Sequence, residues 1–96
     1  MTKAEIVNEI ADRTGVERVA VQATVEAFMS SVKKSLEEGE NVYLRGFGSF
    51  VIKTRAAKTG RNISKNTTIN IPAHNIPYFK PAKTFADRIK DNVAVK

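Results

Sequence analysis

Hydrophobic residues first recur along the chain at helical spacing and then at strand spacing. Ile6, Val7, Ile10 and Ala11 follow Thr2-Lys3-Ala4-Glu5. In that tetrad the Thr2 hydroxyl can accept from the Glu5 amide while the Glu5 side chain reaches back, a capping box. Gly15 supplies a left-handed C-cap, so a first helix is expected over about Lys3 to Thr14. Val21, Val25, Phe28, Val32 and Leu36 then step by four, three, four and four residues, which makes one apolar stripe on a second helix. Ala20, Ala27 and Met29 widen the stripe, and Gly39 closes a helix of about Arg18 to Glu38. The stripe is wider and longer than the first helix can cover, so it predicts a core that continues into a dimer interface.

The period then changes. Val42 and Leu44 alternate with Tyr43 and Arg45, Gly46-Phe47-Gly48 makes a tight turn, and Ser49 to Ile52 begin a second strand. Strand-like residues resume at Thr67 to Ile71 and again near Ile76 to Phe79. Pro72 and Pro77 interrupt this return and suit an edge or a bulge rather than a sheet centre. Pro81 precedes a short C-terminal helix, about Lys83 to Asn92, with Phe85, Ile89 and Val93 on one face. The class is α+β: two N-terminal helices, a three-stranded antiparallel sheet with a long arm, and a short C-terminal helix. At 96 residues the chain is expected to form a single domain, and a domain this small gains from oligomerisation.

Between Lys53 and Lys65 the only strong apolar residue is Ile63. A segment so poor in apolar residues cannot pack into a core. Flanked by strands, it is a hairpin projecting into solvent, an arm of about residues 53–76.

Charge sharpens this picture. Net charge is +6, unevenly spread. Met1 to Glu40 holds eight acids and five bases, whereas Asn41 to Ala86 holds eight bases and no acid. A field this asymmetric draws a polyanion to one part of the molecule. Lys53, Arg55, Lys58, Arg61 and Lys65 fall within thirteen residues, and a two-stranded ribbon bearing them can follow a groove and meet phosphates on both sides. Lys53, Arg55 and Arg61 share strand parity while Lys58 does not, so a bulge or a twist is needed if all are to face the same ligand. At the tip, Gly60-Arg61-Asn62-Ile63-Ser64-Lys65-Asn66 carries the turn formers. Ile63 beside Arg61 is an apolar wedge of the sort that unstacks a base step and kinks DNA.

Several motifs in register resemble the bacterial HU/IHF family of histone-like proteins. They are Gly46-Phe47-Gly48-Ser49-Phe50, Gly60-Arg61-Asn62, Ile69-Asn70-Ile71-Pro72-Ala73 and Pro77-Tyr78-Phe79-Lys80-Pro81-Ala82-Lys83. The resemblance spans the chain up to Val93. It implies an intertwined dimer in which a helical base underlies a saddle of strands and two arms reach around double-stranded DNA. It further implies minor-groove binding with little sequence preference, and bending, wrapping and compaction of DNA in the nucleoid of a bacterial cytoplasm. On that resemblance Lys53, Arg55, Lys58 and Arg61 are basic arm positions. Asn62, Ile63 and Lys65 belong to the DNA-contacting tip, Lys80 and Lys83 meet backbone phosphates under the saddle, and Lys3 is a basic position near the DNA flank. The chain departs from the family at the tip, where Ile63 replaces the usual intercalating proline and Lys65-Asn66 stands for Thr-Gly, and at Ala86, where lysine is common.

Other functions fare worse. The chain has no cysteine and a single histidine, His74, so no cysteine nucleophile, thiolate metal site or disulfide is available. His74, between Ala73 and Asn75, is a turn or groove-facing residue rather than a base, and neither an enzyme nor a cofactor is expected. No apolar run is long enough to span a bilayer, and the N-terminus lacks a secretory core, which points to a soluble protein. The aromatics are too few for a single-stranded RNA platform. Two alternatives to a nonspecific homodimer remain: one subunit of a site-specific heterodimer with a paralogous chain, and a binder of structured RNA.

Overall fold

A computed structural model describes residues 1–62 and 67–95, without the side chains of Arg61, Asn62 and Thr67. The element order is α1 (Lys3–Thr14), α2 (Arg18–Glu37), β1 (Val42–Leu44), β2 (Gly48–Arg55), β3 (Lys58–Asn62), β4 (Thr67–Ile71), β5 (His74–Pro81) and α3 (Lys83–Asn92). The helices fall where periodicity and caps place them. The Glu5 amide donates to Thr2 Oγ1 at 3.2 Å, and Gly15 ends α1 in the left-handed region with its N–H on the Ala11 carbonyl. Gly39, also left-handed, donates to the Leu36 carbonyl and stops α2.

The chain forms two compact units, Met1–Ser35 and Leu36–Lys96. In the first, Val7 and Val21 are the buried hydrophobic residues, and no other described residue of the chain joins them in that class. Phe28 and Met29 on α2 remain 45% and 38% exposed. The stripe of α2 therefore lacks a complete cover within one chain.

The second unit is built on an antiparallel sheet of order β1-β2-β5, with β3 and β4 forming a separate two-stranded ribbon. A turn joins β1 to β2: Phe47 N–H donates to the Leu44 carbonyl at 2.9 Å, and Gly46 has a φ of 82°, as a type II turn requires at that position. Gly48 follows, buried, with Phe79 and the Lys80 carbonyl packed against it. One sheet face collects Phe50 and Phe79, whose ring centroids are 5.0 Å apart. Phe47 extends the cluster to Phe79 at 5.1 Å and stacks on Phe85 of α3 at 5.7 Å. The Ala82 N–H donates to the Phe47 carbonyl, so the turn and the entry to α3 are fixed together.

Of the bulge or twist expected in the arm, the bulge is not found among the described residues. Arg55 stands opposite His74, and after two unpaired residues on each side Lys58 stands opposite Ile71. Equal gaps leave the register unshifted, so the ribbon is interrupted without a bulge. The cause lies in hydrogen-bond alternation. Ile52 N–H donates to Asn41 Oδ1 at 3.1 Å, away from β5, so the Ile52–Pro77 pair is one in which no ladder bond is needed and Pro77 costs nothing. Continuing the alternation, Ala57 and Pro72 fall at a position that requires an N–H from each. Proline has none, and pairing lapses there.

Candidate nucleic-acid interface

Register decides which side chains share a face. Ser49 pairs with Lys80, Val51 with Tyr78, Lys53 with Ile76 and Arg55 with His74, while Tyr43 pairs with Ser49 from β1. The sheet face opposite the phenylalanine cluster therefore presents Tyr43, Lys80, Tyr78, Lys53, Arg55 and His74, all exposed. It is cationic and half aromatic. The Lys53 ammonium lies 4.5 Å from the centre of the Tyr78 ring, an attraction worth about 0.5–1 kcal/mol at an exposed site, which holds the charge over the sheet. A shallow hollow of 470 Å³ at one end is lined by Tyr43, Arg45, Ser49, Val51 and Lys80, among others.

At the other end, where the ladder lapses, a second hollow of 260 Å³ is lined by Lys53, Arg55, Lys58 and His74 together with Thr54, Ala56 and Ile71. Lys58 has the wrong parity for the face of Lys53 and Arg55. The unpaired stretch brings it to the same hollow without an inserted residue. Thr54 Oγ1 and Asn75 Oδ1 lie 2.7 Å apart on the opposite face, the Thr54 hydroxyl donating, and tie the two strands together at the arm root.

The predicted site residues are thus partly assembled. Lys53, Arg55 and Lys80 share the sheet face, Lys58 joins the first two at the arm root, and Lys83 opens α3, exposed. Arg61 and Asn62 belong to β3, opposite Thr68 and Thr67. Ile63 and Lys65 lie outside the described residues. Lys3 sits at the start of α1, in the other compact unit, where its ammonium contacts Glu26 Oε1 at 2.9 Å. That contact, and a second hydrogen bond from Gln22, hold the Glu26 carboxyl below its ordinary value. A phosphate at Lys3 would have to compete with Glu26.

Sequence reasoning left Tyr43, Arg45, Tyr78 and His74 out of the site. The signal was present for three of them: once Lys53 and Arg55 mark a face, alternation and pairing carry it to His74, Tyr78 and Tyr43. Pairing partners are not readable from a local stretch, so the face could not be completed. Among the described residues no group of histidines and acids is placed to hold a metal ion, and no helix is long and apolar enough to cross a membrane.

An antiparallel sheet with one cationic face, continued by a basic two-stranded ribbon, defines a nucleic-acid-binding module that reads with strands rather than a helix. The chain belongs to the bacterial DNA-binding protein family, whose model matches residues 1–90. The DNA-binding protein HU of Clostridium pasteurianum is 39% identical over 89 residues, covering 93% of this chain and 98% of that protein. The HU protein of Thermus thermophilus is 39% identical over 90 residues, covering 94% of this chain and 93% of its own. Among solved structures, Anabaena HU in a cocrystal with DNA superposes with a TM-score of 0.86 at 33% identity, covering 98% of this chain and all of that one (100%). HU from Thermotoga maritima, at 22% identity and a TM-score of 0.65, shares the fold.

Proposed function

We propose that the chain, acting over its whole length as one binding unit, is a histone-like architectural protein that binds double-stranded DNA as a dimer and bends, wraps and compacts it with little sequence preference. The carrying observation is the exposed sheet face of Lys53, Arg55, Tyr78 and Lys80 running into the basic arm. No acid occurs between Asn41 and Ala86 to oppose a phosphate backbone. Family membership and the DNA-bound Anabaena relative support the same reading. Packing supports dimerisation: among the described residues two buried hydrophobic residues are too few for a chain of this length, and a second copy would cover Phe28, Met29 and the rest of the α2 stripe. The role is binding, not catalysis, and its place is the nucleoid.

In this mechanism the cationic face draws in the duplex by releasing counterions, and each arm lies in the minor groove. Arg61 and Asn62 meet the groove, Lys65, Lys80 and Lys83 meet phosphates, and Ile63 wedges a base step. Unstacking costs about a few kcal/mol, offset by the larger surface wrapped.

Competition among straight duplex DNA, kinked DNA and duplex RNA tests the reading, with sedimentation reporting mass. A dimer that prefers kinked DNA is expected. Preference for RNA, or a monomer at micromolar concentration, would overturn it. In the same assay Ile63→Ala should reduce bending and the preference for kinked DNA more than overall affinity; an unchanged bend angle removes the wedge.

A further inference from the structure

His74 has no role in the scheme above, yet it opens β5 directly opposite Arg55 and lines the arm-root hollow with Lys53, Arg55 and Lys58. Its Nδ1 lies 3.0 Å from the Pro72 carbonyl oxygen. A carbonyl can only accept, so Nδ1 carries the proton and Nε2 is the atom that titrates. In the neutral ring Nε2 presents a lone pair, which repels a phosphate oxygen. In the charged ring it becomes an N–H donor. The groups facing His74 are cations from β2 and β3 (Lys53, Arg55 and Lys58), with Tyr78 further along its own strand. No carboxylate occurs anywhere from Asn41 to Ala86 to engage the charged ring in their place.

We propose that His74 completes a proton-linked phosphodiester site at the root of each arm, with Lys53, Arg55 and Lys58 as its permanent charges, so that DNA binding takes up a proton at His74 and tightens as pH falls. The inference rests on the DNA-binding reading. A bound phosphate oxygen accepts from the charged ring and is repelled by the Nε2 lone pair of the neutral one. Binding and protonation therefore assist each other. Proton uptake is limited to one per arm, two per dimer. Histidine changes charge between about pH 5 and 8. An exposed ion pair is worth about 1.4- to fivefold in affinity, so two arms should give roughly two- to thirtyfold tighter binding from pH 8 to pH 5.5.

The test is duplex-DNA affinity of the full chain from pH 8 to 5.5 at constant ionic strength. Calorimetry in buffers of different ionisation enthalpy would count protons taken up. Wild type should tighten with proton uptake, His74→Gln should give a flat profile with no uptake, and His74→Lys should bind at pH 8 as tightly as wild type at pH 5.5. Circular dichroism of each variant checks the fold. A wild-type profile that is flat, or one that His74→Gln leaves equally steep, overturns the proposal. Failure of wild type to bind duplex DNA even at pH 5.5 would instead overturn the function on which it rests.

Discussion

At the scale of single residues, two contacts make quantitative demands. A Cβ on Gly48 would sit 2.7 Å from both the Lys80 carbonyl oxygen and a Phe79 ring carbon. Neither can retreat without disturbing β5, so Gly48→Ala should cost about 1–3 kcal/mol in denaturant unfolding. A variant as stable as wild type would show that β5 and its ring can give way. The Lys3–Glu26 contact predicts a pH effect with a definite sign. Glu26 is held below its ordinary value of 4.5, chiefly by the Lys3 hydrogen bond and secondarily by that of Gln22. A depressed carboxylate stabilises the fold above the unfolded value and loses that contribution as pH falls through its folded value. Glu26→Gln should therefore lower Tm at pH 6 and converge with wild type once the pH falls below the folded value of the Glu26 carboxyl. A gap that persists at low pH would place the effect in packing rather than charge. Both sides are exposed, so the effect is small and should shrink further in salt.

At the scale of elements, what could be read from the sequence was what local chemistry specifies. Thr2, Gly15 and Gly39 mark helix ends, because a capping hydroxyl and a left-handed φ are satisfied within a few residues. The strands beginning at Val42 and Ser49 and the return near Ile76 to Phe79 were visible as a change of period. The arm root was not. A bulge or a twist was expected to bring Lys58 to the ligand face; two unpaired residues on each strand bring it to the hollow of Lys53 and Arg55. That outcome depends on which pairs of the ladder carry hydrogen bonds, which is set at a distance by Asn41 taking the Ile52 N–H. Proline is thus silent at Pro77 and disruptive at Pro72. Pro72→Ala restores the missing donor, so amide exchange at Ala57 should slow by on the order of tenfold as the ladder closes. Unchanged exchange would mean that the gap has another origin. A closed ladder would also return Lys58 to the opposite face, away from Arg55.

At the scale of the molecule, the distribution of charge and the shortage of core lead to the same account. One half of the sequence is acidic and helical with an uncovered apolar stripe; the other is a sheet and arm with no acid until Asp87. The first asks for a second copy, and a second copy supplies a second cationic face. Of the site residues drawn from resemblance, Lys80 falls on the same sheet face as Lys53 and Arg55, which charge alone marked, while Lys83 opens α3. Lys3 falls elsewhere and is already paired. Pairing adds the tyrosines and sets His74, expected as a turn or groove-facing residue, opposite Arg55, and these residues give the sheet face its particular character in this chain.

The central claim is that a dimer wraps duplex DNA against both faces and both arms, and the dependence of affinity on salt tests it most directly. Each phosphate neutralised on B-DNA contributes about −0.9 to the slope of log K against log salt. Engagement of about six to ten phosphates by the paired faces and arms therefore predicts a slope of about −5 to −9 for the full chain on duplex DNA at fixed pH. A slope near −2 would mean that about two phosphates are met, and would contradict wrapping.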